Sequence, residues 1–141
     1  MKYSYVAKTV VINPEGKCLV LRRSPTDQHA PGRADLPGGG VEQDEAYAVS
    51  AAREIAEEAG ISVAPEALQL VYTSTRLASD GGAVIVRFLY LVEIAGSEVT
   101  LSYEHDAYEW LEVVHFQAAL AGTAWSEAVD FLIARHILPS A

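Results

Sequence analysis

The sequence predicts an α/β sandwich built on a mixed sheet. Short apolar runs rich in β-branched and aromatic residues recur along the chain, and two or three segments with helical periodicity lie between or after them. The chain has 141 residues, half of them apolar, which suits one ordinary domain with a real core. A single domain over residues 1–141 is therefore expected.

Residues 5–12 read as a strand, Asn13-Pro14-Glu15-Gly16 as a turn, and residues 17–23 as a second strand paired to the first. The polar stretch 24–33 holds Pro25, Pro31 and Gly32 and predicts a surface loop. Residues 36–41 read as a short glycine-rich connection. Residues 46–59 carry helical periodicity, with Gly60 placed to end the helix. Strands are expected at 68–75 and 83–94 around a Ser79-Asp80-Gly81-Gly82 turn. A loop at 104–107 leads to a short strand at 108–112. A modest helix at 114–120 and a longer amphipathic one at 124–138 complete the chain, closed by Pro139.

Bulk properties exclude several function classes. Lys plus Arg total 10 against 19 Asp plus Glu, a formal net charge of −9. Polymeric nucleic acid is disfavoured as a partner, because phosphate contacts need clustered Lys and Arg. A small phosphorylated ligand is not excluded, since a bound cation can supply positive charge. Cys18 is the lone cysteine, so no internal disulfide forms and a buried strand thiol in a reducing compartment is expected. With four scattered histidines, a structural zinc site is disfavoured. The N-terminus shows no long apolar h-region, and no apolar run is long enough to span a bilayer. A cytoplasmic protein without membrane attachment is expected.

The segment 39–61, GGVEQDEAYAVSAAREIAEEAGI, carries the chemistry. At 100° per residue, Ala48, Ala52, Ile55 and Ala59 fall on one side of the predicted helix and would let it sit close to a sheet. Glu54, Glu57 and Glu58 fall on another face, at i, i+3 and i+4, where like charges repel. A solvated acidic face is the bland explanation. The glycines Gly38, Gly39 and Gly40 just before the helix favour a ligand site instead, because they permit close backbone approach. Mg²⁺ prefers carboxylate and carbonyl oxygens and shares substrate phosphates.

These residues resemble the Nudix box: Gly39, Glu45, Arg53, Glu54, Ile55, Glu57, Glu58, Gly60 and Ile61 fill all nine of its defined positions. A chance match at one start point is on the order of 1 in 10⁹ from average composition. The resemblance, of the MutT-like kind, implies an α/β/α sandwich with a mixed sheet and hydrolysis of nucleoside diphosphates linked to another moiety. It implies Glu54, Glu58 and the Gly38 carbonyl as ligands of Mg²⁺, with Mn²⁺ as a substitute. Glu57 would be a ligand or hold metal-bound water, and Arg53 would brace the carboxylates with Glu45 as partner. Two departures stand out: Asp44 replaces a common glycine, and Ala46 a common Ser or Thr cap. Asp44 is the alternative cap.

Outside the box, family members often carry an acidic residue six positions before a tryptophan. Glu104 and Trp110 fit that spacing. Glu104 is thereby implied as a further metal ligand or the general base, with His105 as the alternative base or substrate contact. Arg22 and Arg23 at the end of the second strand, Arg33 and His29 in the following loop, and Arg76 and Arg87 around the 79–82 turn are candidate substrate contacts, Arg being the natural phosphate fork. Ala34 stands where many members place a tryptophan, which weakens stacking there. Trp110 reads as core.

The expected reaction is hydrolysis of a phosphoanhydride bond in a nucleoside triphosphate, damaged ones included, or another nucleoside diphosphate derivative, releasing a nucleoside monophosphate. Dinucleoside polyphosphates, a pterin triphosphate, ADP-ribose and nucleotide sugars are alternative substrates. The segment EHDAYEWL resembles a pattern seen in some hydrolases of the first two classes. A messenger RNA cap fits poorly with the acidity. A non-catalytic nucleotide-binding module is the alternative of another class, against which the intact Arg53-Glu54 and Glu57-Glu58 pairs argue. A homodimer is an assembly common in the family.

Overall fold

The computed structural model describes residues 2–26 and 32–139. Its spine is β1 (Lys2–Ile12), which begins earlier than the sequence suggests and becomes fully buried at Ala7, Val10 and Val11. A strand flanked on both edges and covered on both faces has no side left for polar residues, hence the apolar run at its end.

One edge of β1 pairs in parallel with β6 (Ala83–Glu93), from Lys2↔Ala83 to Ile12↔Glu93. The other edge is shared. Its middle pairs antiparallel with β4 (Gly38–Gly40), and Ile12 pairs with Cys18 of β2 (Cys18–Arg23). β2 in turn holds β3 (Ala34–Asp35) and β7 (His105–Leu111), while β5 (Gln69–Leu77) closes the far side against β6. The sheet order is β3-β2-β1-β6-β5.

Strand alternation sends side chains to two cores. Ala7, Val11, Leu19, Leu21 and Tyr90 face α1 (Tyr47–Ala59), whose Ala51, Ala52, Ile55 and Ala59 are buried. Val10, Val20 and Leu89 face α2 (Val113–Leu120) and α3 (Ser126–Ala134) through Phe116, Leu120, Val129 and Leu132. Each fully buried Leu, Ile or Phe stabilises the fold by about 1.5–3 kcal/mol. The result is the expected α/β/α sandwich with a mixed sheet. Among the described residues no helix is long and apolar enough to cross a membrane.

Four local expectations are corrected. The glycine-rich connection contains a strand, β4. Gly38 has φ 144°, and a Cβ there would run into the Ala7 carbonyl oxygen, so only glycine lets β4 lie this close to β1. Gly38→Ala is expected to destabilise the fold by about 3 kcal/mol or more, read as a fall in denaturation midpoint. Second, β7 starts at His105, inside the expected loop. Third, α3 ends at Ala134 because His136 turns left-handed, φ 58°, and the N–H groups of Ile137 and Leu138 fold back onto the Leu132 carbonyl. Fourth, Asp44 does not cap α1. It sits at φ 65° in the preceding turn, and the N-cap is Ala46, without a side-chain bond.

Candidate active site

The small buried face of α1 seats the helix over β4, and this brings its carboxylates to the glycines. Glu58 is buried and its Oε1 accepts a 2.7 Å hydrogen bond from the Gly38 N–H. Burial pushes its carboxyl up to about 7, against the Lys8 charge, the Gly38 hydrogen bond and the His105 charge. Glu54 lies so close to Gly39 that a Cβ at that glycine would stand 3.0 Å from its Oε1. Burial also raises the Glu54 carboxyl, and the Arg53 charge opposes this.

Arg53 gathers the remaining acids. Its guanidinium forks onto Glu45 at 2.8 and 3.1 Å, and Nη1 reaches Glu54 at 3.3 Å and Glu57 at 3.1 Å. The fork onto Glu45 holds that carboxyl lowered at about 2. One planar cation thus fixes three carboxylates, a task suited to Arg rather than Lys.

A second cluster was not anticipated. Lys8 is buried on β1, and its ammonium donates to Asp35 at 3.1 and 3.2 Å, to the Leu36 carbonyl at 3.0 Å and to the Gly38 carbonyl at 3.0 Å. Asp35 also meets Arg23 at 3.2 Å and His105 Nε2 at 3.3 Å. Burial would raise the Asp35 carboxyl, but the His105 bond and the Lys8 and Arg23 charges outweigh it and leave it lowered at about 2. His105 is itself buried, and its Nδ1 has no hydrogen-bond partner. The signal for this cluster was a lone lysine inside the apolar run 5–12, where a charge must find a buried partner.

The other candidates are dispersed. Glu104 is exposed just before β7, and its side chain makes no hydrogen bond or ion pair among the described residues. Arg22 pairs with Glu109 at 3.1 Å on β7. Arg33 donates to the Gly122 carbonyl at 3.0 Å and shares a cavity of about 210 Å³ with Lys8, Arg23, Asp35 and Trp125. Arg76 and Arg87 line a second cavity of about 310 Å³. His29 lies outside the described residues. Trp110 is partly buried and donates to the Ser97 carbonyl at 2.9 Å, in keeping with a core role.

The donor set fits a hard divalent cation. It consists of carboxylates and a backbone carbonyl, and the second oxygen of buried Glu58 accepts no hydrogen bond among the described residues. The donors are not assembled for ligation: among the described residues no three His, Cys, Asp or Glu side chains stand together in a metal-binding group. Arg53 holds Glu54 and Glu57, and Lys8 holds the Gly38 carbonyl, which keeps one lone pair.

Comparison with known proteins agrees with the fold. A family model described as NUDIX domain matches residues 2–132. A MutT-like protein of Streptomyces ambofaciens is 33% identical over 102 residues, covering 72% of this chain and 59% of that protein. The 8-oxo-dGDP phosphatase NUDT18 of Danio rerio is 30% identical over 102 residues, covering 72% of this chain and 29% of that protein. The chain thus matches little more than half of the first relative and under a third of the second. The crystal structure of a MutT protein from Methanosarcina mazei Go1 superposes with a TM-score of 0.79 at 24% identity, covering 98% of this chain and 97% of that one. With a family match running through both cores and both clusters, this chain belongs to the Nudix hydrolase family, among its MutT-like members.

Proposed function

We propose that the protein hydrolyses a phosphoanhydride bond in a nucleoside triphosphate or another nucleoside diphosphate derivative, releasing a nucleoside monophosphate, with Mg²⁺ as cofactor. One observation carries this reading: buried Glu58, with Glu54 beside it, faces the Gly38–Gly40 backbone while Arg53 and Glu45 brace the neighbouring acids. A buried carboxylate with a half-buried one beside it serves the fold poorly unless a cation completes the site.

Glu54, Glu58 and the Gly38 carbonyl would hold the ion, with Glu57 at the exposed rim. When bound, Mg²⁺ supplies Lewis-acid stabilisation of charge on the phosphate oxygens. Arg53 preorganises the carboxylates, so little rearrangement is left for the moment of reaction. Lys8 and Arg23 set a positive field beside the site, and Arg23, the more exposed of the two, orients the phosphates. Glu104 is the proposed general base: it takes a proton from the attacking water as a new P–O bond forms, and the bridging oxygen leaves with its electron pair.

Oxidised nucleotides, diphosphates as well as triphosphates, are the first substrates to test, because the Danio rerio relative is named an 8-oxo-dGDP phosphatase. The purified protein should be incubated with Mg²⁺ and nucleoside di- and triphosphates, dinucleoside polyphosphates, ADP-ribose and nucleotide sugars, with products resolved by chromatography. Monophosphate release that EDTA abolishes is expected. Silence across the panel, or turnover indifferent to EDTA, would overturn the reading.

A further inference from the structure

α1 covers only part of its side of the sheet. Its first residue, Tyr47, stacks on Phe88 with ring centroids 4.3 Å apart, and Tyr5 approaches Tyr47 at 5.8 Å. Further along the strands Ala7, Val11, Tyr90 and Val92 are buried on that side. Ahead of Tyr47 the same side lies open: Tyr3 is 58% exposed and Leu77 57%.

Strand register shows how far the open face extends. Tyr3 pairs with Val84 and Tyr5 with Val86 across β1 and β6. Val84 pairs in turn with Leu77, Val86 with Thr75 and Phe88 with Thr73 across β6 and β5. Alternation places all eight on the face of Ala7. None of the eight is charged, in a chain of net charge −9. The charged residues beside them in sequence, Lys2, Arg76 and Arg87, alternate onto the opposite face. Three strands therefore present a neutral, aromatic and β-branched surface to the outside.

That chemistry selects the occupant. A charged partner would lose water from its charges and find none to pair with. Two copies of so acidic a chain repel on approach, so a contact between them forms where neither carries charge. The polar atoms of this face are tyrosine and threonine hydroxyls, which both donate and accept hydrogen bonds, so an identical face can answer them. With Tyr47 included, the open side chains amount to on the order of 600 Å² per copy, so two copies bury about 1,200 Å², enough for a specific interface at the lower end of the range. Sheet faces of this kind pack about 10 Å apart with their strands within about 30°. The outer edge of β5 is a poorer contact, because a bulge at Val71 interrupts the strand.

We propose that the open sheet face around Tyr3, Val84 and Leu77 is the contact between two copies of this chain, packed face to face as a two-fold dimer. The dimer is independent of the hydrolase reading.

Sedimentation equilibrium of the unmodified chain is the first test. A 15.2 kDa monomer is expected at about 1 µM and a particle of two copies at about 500 µM, with a Kd of roughly 1–100 µM. Tyr3→Lys and Leu77→Lys place a charge in the contact, and each should weaken association about tenfold or more. Ser4→Lys, exposed on the opposite face of β1, should leave association unchanged. Melting temperatures establish that the three variants are folded. The contact is also read without any substitution, by mixing ¹³C-labelled and unlabelled copies: NOEs are expected between the Tyr3 ring of one copy and the Val84 or Leu77 methyls of the other. A monomer at every concentration overturns the proposal. So does a dimer that tolerates both face lysines, or one that shows no such NOEs. No readout uses turnover, so failure here is distinct from failure of the hydrolase reading.

Discussion

Glu58→Gln is expected to lower kcat by about a thousandfold or more, roughly 4 kcal/mol of transition-state stabilisation, in the Mg²⁺ assay. The amide keeps the size of the side chain and an oxygen to accept the Gly38 N–H bond, so the fold should survive. It should even gain. Burial raises the Glu58 carboxyl to about 7, so the metal-free fold favours the protonated form. The sign follows from linkage: this contribution is complete below the unfolded value near pH 4 and is lost as pH rises through about 7. The loss amounts to roughly 3 kcal/mol, or about 10 °C in melting temperature for a domain of this size. Metal-free wild type should therefore melt lower at pH 8 than at pH 5, Mg²⁺ should restore more stability at pH 8, and Glu58→Gln should flatten both responses. Full turnover in this variant would remove Glu58 from the site. A flat wild-type profile would show that its charge is not strained.

Lys8→Met is expected to cost about 3 kcal/mol, seen as a fall of roughly 10 °C in melting temperature. The methionine fills much of the same space, so the cost is electrostatic: Asp35 loses its closest cation while buried, and the Leu36 and Gly38 carbonyls lose a donor. The acid limb should change too. Asp35 is held at about 2, so in the wild type its contribution is present above pH 4 and is lost as pH falls toward 2. Without Lys8 that contribution shrinks. Lys8→Met combined with Asp35→Asn should be more stable than Lys8→Met alone, because the uncompensated charge is gone. An unchanged melting temperature in the single variant would mean that Arg23 and His105 suffice to hold Asp35.

The box was legible because its geometry is local. Arg53, Glu54, Glu57 and Glu58 sit on one helix, where spacing alone decides which side chains can meet, and Arg53 does bridge the acids. The Lys8–Asp35 pair joins residues 27 positions apart through strand pairing, which no local period encodes. β4 was missed because three glycines carry no strand propensity, and their pairing depends on the approach of β1. The early stop of α3 was missed because its left-handed residue is His136, not a glycine. Arg76 and Arg87 were picked out for their chemistry. Their shared cavity with Trp125 appears only once α3 is laid across the sheet.

The parallel pairing of β1 with β6 bears on how the chain reaches this fold. Lys2 meets Ala83, so the central strand waits for a partner about eighty residues downstream. During synthesis, the apolar end of β1 has only β2 and β4 to cover one edge while the other stays open. Closing so long a loop costs entropy before any contact repays it, which makes folding slow relative to a helical domain of equal size. Until β6 emerges, that open edge is the segment most exposed to mispairing, and a chaperone that shields extended apolar chain would act there.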